Sequence, residues 1–181
     1  MINKFYLLIL VISSLLYSQQ SDSNYKYGVQ FQLSEGYSTI GCIGFDAATS
    51  FNVTINKISV SPYIEYGIYT SFKTDVREIN FTEWVAGTNT FYNIVNLRYF
   101  KIKTGTGISI AYINGIKEEW NGWYGEEHLE EEKINNISAA WNLIAGISLG
   151  NKIAIEIFPV YFSIGLWDKK YTPKIGLGYR F

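Results

Sequence analysis

The chain has 181 residues, a formal net charge of −1, 17% aromatic and 17% charged residues, and 48% hydrophobic residues. That apolar content excludes a disordered chain, the near-neutral charge gives no basic footprint for nucleic acid, and the single cysteine, Cys42, excludes a disulfide framework or a thiolate metal cage. The charged fraction lies below the roughly 25% of soluble domains, too little to cover a water-facing surface but suited to one that faces lipid.

Lys4, the apolar run Phe5 to Ile12, then Leu15, Leu16, Tyr17, Ser18 and the polar stretch Gln19 to Asn24 have the order of a secretory signal peptide. The apolar run is shorter than the roughly 20 residues needed to cross a bilayer as a helix. Residues 1–18 are expected to be the leader and 19–181 a single exported domain.

Beyond the leader, hydrophobic residues recur with period two, the signature of half-buried strands. Tyr25, Tyr27, Val29, Phe31 and Leu33 oppose Lys26, Gly28, Gln30 and Gln32. Ile43, Phe45, Phe51, Val53 and Ile55 oppose Ser50, Asn52 and Thr54, and an Asn56-Lys57 turn leads to Ile58, Val60, Ile64, Tyr66 and Ile68 against Ser59, Ser61, Glu65 and Gly67. A fourth strand, about 90–101, sets Phe91, Val95, Leu97 and Tyr99 against Asn96 and Arg98. A turn at Lys103-Thr104-Gly105-Thr106 returns into Ile108, Ile110 and Tyr112 against Gly107, Ser109 and Ala111. The sixth alternates Ile137, Trp141, Leu143, Ile147 and Leu149 with Ser138, Asn142, Gly146 and Ser148. The seventh sets Ile153, Ile155 and Ile157 against Ala154 and Glu156, with a bulge expected at Pro159, which cannot donate to a ladder. Ile175, Leu177, Tyr179 and Phe181, against Lys174, Gly176, Gly178 and Arg180, end the chain.

Eight strands joined alternately by short turns and by longer loops, at about 34–40, 72–89, 115–136 and 166–171, predict an all-β fold: an eight-stranded antiparallel up-and-down transmembrane β-barrel. Closure is required because lipid offers no partner to an open strand edge. The bulky apolar set suits a lipid belt and the small polar set a narrow lumen. A soluble lipocalin-like binder, the inverted arrangement, would leave too few charges outside.

The last strand, Lys174-Ile-Gly-Leu-Gly-Tyr-Arg-Phe181, resembles the C-terminal signature of Gram-negative outer-membrane barrels, a terminal aromatic preceded by apolar residues at every second position. With the leader and the strand count, the chain is similar to the small OmpA/OmpX-type barrels. That resemblance implies a location in the outer membrane, contact with its lipids and lipopolysaccharide, and recognition of the last strand, Tyr179 and Phe181 above all, by the barrel-assembly machinery.

Some barrels of this size modify lipid A, which the resemblance implies would need a His with Ser and an acidic partner at the outer rim. The one histidine, His128, sits among glutamates with no Ser between Ser109 and Ser138, so a nucleophile is missing. Cys42 has no activating neighbour in sequence. No catalytic residue, cofactor or metal site is assigned. The segment 115–136 carries seven glutamates, Glu118, Glu119, Glu126, Glu127, Glu130, Glu131 and Glu132, beside Trp120, Trp123 and Tyr124. These aromatics and His128 are candidate contacts for an extracellular ligand or protein. In the lumen, Lys26, Arg98, Lys174 and Arg180 should pair with Glu65 and Glu156, since unpaired charges there are costly. The expectation is a monomeric, non-enzymatic barrel with a structural, adhesive or ligand-binding role. A small porin-like channel or hydrophobic-solute transporter is the alternative.

Overall fold

The computed structural model describes residues 27–38, 40–71, 77–121, 128–166 and 168–181. The proposed leader and Lys26 lie outside them, as do Trp123 and Tyr124. Strands β1 (Tyr27–Ser38), β2 (Cys42–Ile55), β3 (Ile58–Ser71), β4 (Arg77–Asn96), β5 (Phe100–Asn121), β6 (His128–Gly150) and β7 (Ile153–Gly165) follow one another, then β8 (Lys169–Tyr171) and β9 (Lys174–Arg180). Each pairs antiparallel with its sequence neighbour. β8 and β9 are two pieces of one eighth stave, interrupted by Thr172 and Pro173. Both pair with β7 on one side and β1 on the other, which closes the ring.

The hydrophobic alternation sets which way each face looks. Phe45 and Ile108 are each 71% exposed and Ile137 and Ile153 each 70%, with Phe31, Ile64, Ile68 and Leu177 among the other outward apolar side chains. Inside lie Gln30, Ser50, Ser61, Asn89, Asn142 and Ser148. Aromatic rings mark two levels on the outside. Tyr27, Tyr92, Tyr99, Tyr179 and Phe181 ring the end with the short turns, and Tyr37, Trp84, Tyr112 and Trp141 ring the other. Ten residues separate Tyr27 from Tyr37. At 3.3 Å per residue and a tilt near 40°, the apolar band between them is about 25 Å tall, the height of a lipid belt.

Several expected boundaries move. The segment 103–106 is not a turn. It lies within β5, paired with Thr90 to Asn93 of β4, and the chain reverses at 97–99 instead. Phe91 accordingly points inward and is 4% exposed. The expected loops at 34–40, 72–89 and 115–136 are mostly strand: their described residues continue the ladders, and polar side chains read as loop, Ser34, Glu83 and Asn89, are buried in the lumen. The bulge expected at Pro159 is present: the β6–β7 register slips between Ala145↔Val160 and Ile147↔Ile157. At the short turns Asn56 and Gly150 take positive φ (57° and 118°), backbone that suits Asn and Gly.

Candidate functional site

The lumen is filled in layers. At its waist Asn142, fully buried, donates from Nδ2 to Tyr63 Oη (3.0 Å) and to Asn89 Oδ1 (3.2 Å), and Asn89 Nδ2 donates to Tyr161 Oη (3.3 Å). Just below, Phe91, Ile144, Phe158 and Tyr161 pack as an apolar cluster. Near the far rim a second cluster joins Tyr63, Tyr69, Ile79, Phe81, Val85 and Ile113, with Cys42 buried among them. Two small cavities of about 40 Å³ each lie on opposite sides of the waist. Each has space for only a few waters, and the aromatic waist separates them.

Tyr69 shows how sequence permits this filling. Its ring lies across the paired glycines Gly36 and Gly44. A Cβ on either would stand 2.4 Å from a Tyr69 atom, so only glycine leaves the space. The ring stacks on Phe81 (centroids 4.9 Å apart, 7° between planes), and its hydroxyl donates to Asp46 Oδ2 at 2.7 Å.

Two charged layers flank the waist. Toward the far rim, Asp46, Glu65 and Glu83 each bring a carboxylate oxygen within 4.8 Å of the others. Lys174 pairs with Glu65 and Lys170 with Glu83, and all five side chains are withdrawn from solvent. Lys174 Nζ also stands 4.1 Å from the Tyr161 ring centre, and Lys170 Nζ 4.2 Å from that of Tyr69. Three carboxylates could hold a cation by geometry. Here two ammonium groups already supply counter-charge, which a buried cluster needs to persist. Toward the short-turn rim, Glu156 receives Lys103 Nζ at 2.5 Å and Arg180 Nη2 at 2.9 Å. Arg180 also donates to Ser148 Oγ and to the carbonyls of Gly150 and Asn151.

Of the charges expected in the lumen, Glu65, Glu156, Lys174 and Arg180 are there and paired. Arg98 is not. It stands exposed in the turn between β4 and β5, its guanidinium 5.2 Å from the Tyr99 ring centre. The turn is shifted from 103–106 to 97–99, which takes Arg98 out of the ladder and brings Lys103 in. Glu83, Lys103 and Lys170 were missed because each fell in a segment read as turn or loop, and Asp46 because the inward set of its strand was followed only from Ser50. Strict alternation carried through those segments, with Asp46 two residues from Ala48 and four from Ser50, was the signal available.

Above the waist the wall is uneven. β4, β5 and β6 rise together, and the β5–β6 ladder continues to Trp120↔Leu129 and Asn121↔His128, placing the backbone of these two candidate contact residues on the hairpin. β7 stops at Gly165, opposite Ala140. Leu166 N donates to the Ala139 carbonyl at 3.1 Å, and among the described residues no strand pairs with the outer edge of β6 from His128 to Ser138. Glu118 stands opposite Glu131 across this hairpin, with Glu78 of β4 beside Glu118. Like charges placed so weaken a ladder, whereas the next pair down is of opposite sign, Lys117 with Glu132 at 3.5 Å.

A closed ring of staves, apolar outside, polar within and girdled by aromatics at two levels, matches known structures. Neisserial surface protein A aligns over 86% of this chain and 97% of its own, with 15% identity and a TM-score of 0.61. Ail, the attachment invasion locus protein of Yersinia pestis, covers 86% and 96% with 14% identity and a TM-score of 0.51. The N-terminal β-barrel domain of Pseudomonas aeruginosa OprF covers 85% and 97% with 12% identity and a TM-score of 0.51. The fold is that of the small outer-membrane β-barrels. No protein-family model and no curated protein sequence matches the chain. The outer-membrane barrel fold is thus held here by a sequence that shares little with its structural neighbours beyond the alternation, as expected where lipid asks only for apolar side chains outside and the lumen only for side chains that fill it.

Proposed function

We propose that the protein is an integral outer-membrane barrel, exported by its N-terminal leader, with a closed and structural lumen. Its work is done outside the membrane by the protruding β4–β5–β6 sheet, as a surface-binding or adhesive element. The observation that carries this reading is the hairpin ladder that continues to Asn121↔His128 while the neighbouring β7 ends at Gly165. It lifts an acidic sheet with an open edge clear of the apolar band. An unpaired edge offers hydrogen-bonding groups to a partner, and the glutamates favour a cationic one. The words "surface protein" and "attachment" in the names of two structural neighbours agree with it. The filled waist favours this reading over a conducting pore, and no step of chemistry is assigned to His128. The protein is expected to act as a monomer. Tyr179 and Phe181, outward at the short-turn rim, are placed where assembly machinery could read them, and lipopolysaccharide would border the outer girdle.

The test compares the full chain with a variant lacking residues 117–132, both displayed on cells. The variant should keep the heat-modifiable gel shift of a folded barrel in the outer-membrane fraction and lose salt-sensitive adherence to immobilised matrix proteins. Equal adherence by both chains would overturn the proposal. Steady single-channel conductance of the full chain in a planar bilayer would replace it with the pore.

A further inference from the structure

The cavity at the short-turn end of the lumen is built differently from its counterpart across the waist. Three cationic side chains, Lys101, Lys103 and Arg180, line it together with one carboxylate, Glu156. Glu156 is already committed to Lys103 and Arg180. Lys101 shares the same wall, half-buried, and among the described residues it has no carboxylate within ion-pair distance. The layer therefore carries two positive charges more than its carboxylate offsets. In a partly enclosed space that excess calls for a counter-ion.

A second, independent observation lies on the opposite wall. Gln30 is 3% exposed, and its Oε1 accepts from Ser50 Oγ (3.5 Å) and Asn52 Nδ2 (3.4 Å). Both contacts fall on the oxygen side of the amide. Its Nε2 is thereby left buried with no acceptor, in the lining of this cavity. A buried donor without a partner costs about 1–3 kcal/mol, and β1 places this one where a ligand oxygen could accept from it.

We propose that this cavity is a binding site for a small oxyanion of the phosphate type, entering from the rim that carries the short turns. Lys101 Nζ and Gln30 Nε2 supply hydrogen bonds to its oxygens, and Lys103 and Arg180 supply charge. The cavity, open toward the rim, has a volume of about 40 Å³, roughly three times what one water needs. It suits a single phosphate-sized ion and excludes a nucleotide or a sugar phosphate held wholly inside. Oxygen acceptors on a charged ion make the short, strong bonds that lysine and a fixed amide can return.

The test uses the folded full chain in a nonionic, phosphorus-free detergent, titrated calorimetrically with inorganic phosphate against sodium chloride of equal ionic strength. Saturable binding of one phosphate per chain is expected. Lys101→Met should weaken it about tenfold, the loss of one charge-assisted hydrogen bond, and Gln30→Leu should weaken it as well. Lys101 stands at the start of β5, half-exposed, so its variant should still show the folded band on an unboiled gel even if Gln30→Leu does not. Heat no greater than that of chloride, or unchanged phosphate affinity in folded Lys101→Met, overturns the proposal. So does binding that appears only when an anionic phospholipid is added to the micelle.

Discussion

Replacing Lys174 by Met removes the counter-charge of Glu65 at the most enclosed point of the lumen. The Lys174 side chain is 1% exposed and that of Glu65 8%, and the two are in direct contact. Met nearly preserves the length of the apolar stem, so packing against the Tyr161 and Tyr63 rings changes little and the effect is electrostatic. Glu65 is left beside Asp46 and Glu83, with Lys170 already paired to Glu83. Breaking one side of a buried pair costs about 3–5 kcal/mol, which lowers the folded-to-unfolded ratio by a factor of roughly 150 to 5,000. The double variant Glu65→Gln, Lys174→Met removes both charges and should recover most of that loss. Urea titration of the barrel refolded into lipid vesicles, read as the loss of the fast-migrating band on an unboiled gel, measures all three proteins. A single variant within about 1 kcal/mol of the parent, or a double variant as unstable as the single, would refute the reasoning that this pair is desolvated and mutually dependent.

Gly44→Val should abolish or severely slow folding, since its Cβ would meet Tyr69 ring atoms and the Ile68 carbonyl at 2.4 Å. Overpacking of this kind costs about 1–3 kcal/mol or more, and adding Tyr69→Ala should restore part of the folded band. Ile108→Lys, at an outward position inside the apolar band, should cost about 2–4 kcal/mol in vesicle-based unfolding. Arg98→Ala, in an exposed turn, should fall within about 0.5 kcal/mol of the parent in the same assay. Tyr161→Ala removes a ring from the waist, and planar-bilayer recordings should show a higher current for this variant than for the parent.

Much of the fold could be read from side-chain alternation, because lipid outside and a narrow polar lumen inside impose the same period on every stave. Phe31, Ile64, Ile108, Leu177 and their neighbours were placed on the correct face for that reason. The same rule was less informative at the upper ends of the strands. Above the apolar band polar residues stand outward as well, Glu131, Lys133 and Asn135 among them, so the contrast that marks a strand is lost and the stretch reads as loop. A turn was placed at 103–106 because its lysines, threonines and glycine resemble turn residues. In the barrel those glycine and threonine positions lie in the β4–β5 ladder, where Gly105 leaves space for the inward ring of Phe91, and Lys103 serves Glu156. Propensity was overridden by the β4–β5 hairpin ladder, which runs through these residues, and by the lumen contacts that Phe91 and Lys103 make across the barrel.

The sequence by itself determined the class of environment, the number of staves and the face that most alternating residues present, Phe91 and Arg98 excepted, since these follow from the local period of two and from the composition. Only the tertiary structure decided which charges meet. Lys174 and Glu65 are 109 residues apart in the chain, and their pairing depends on register accumulated around the ring, where one residue of slip turns a lumen side chain out to lipid. Closure likewise decided that the lumen is plugged at Asn89, Asn142, Tyr63 and Tyr161, and that one end gathers carboxylates while the other gathers unmatched cations around a buried amide.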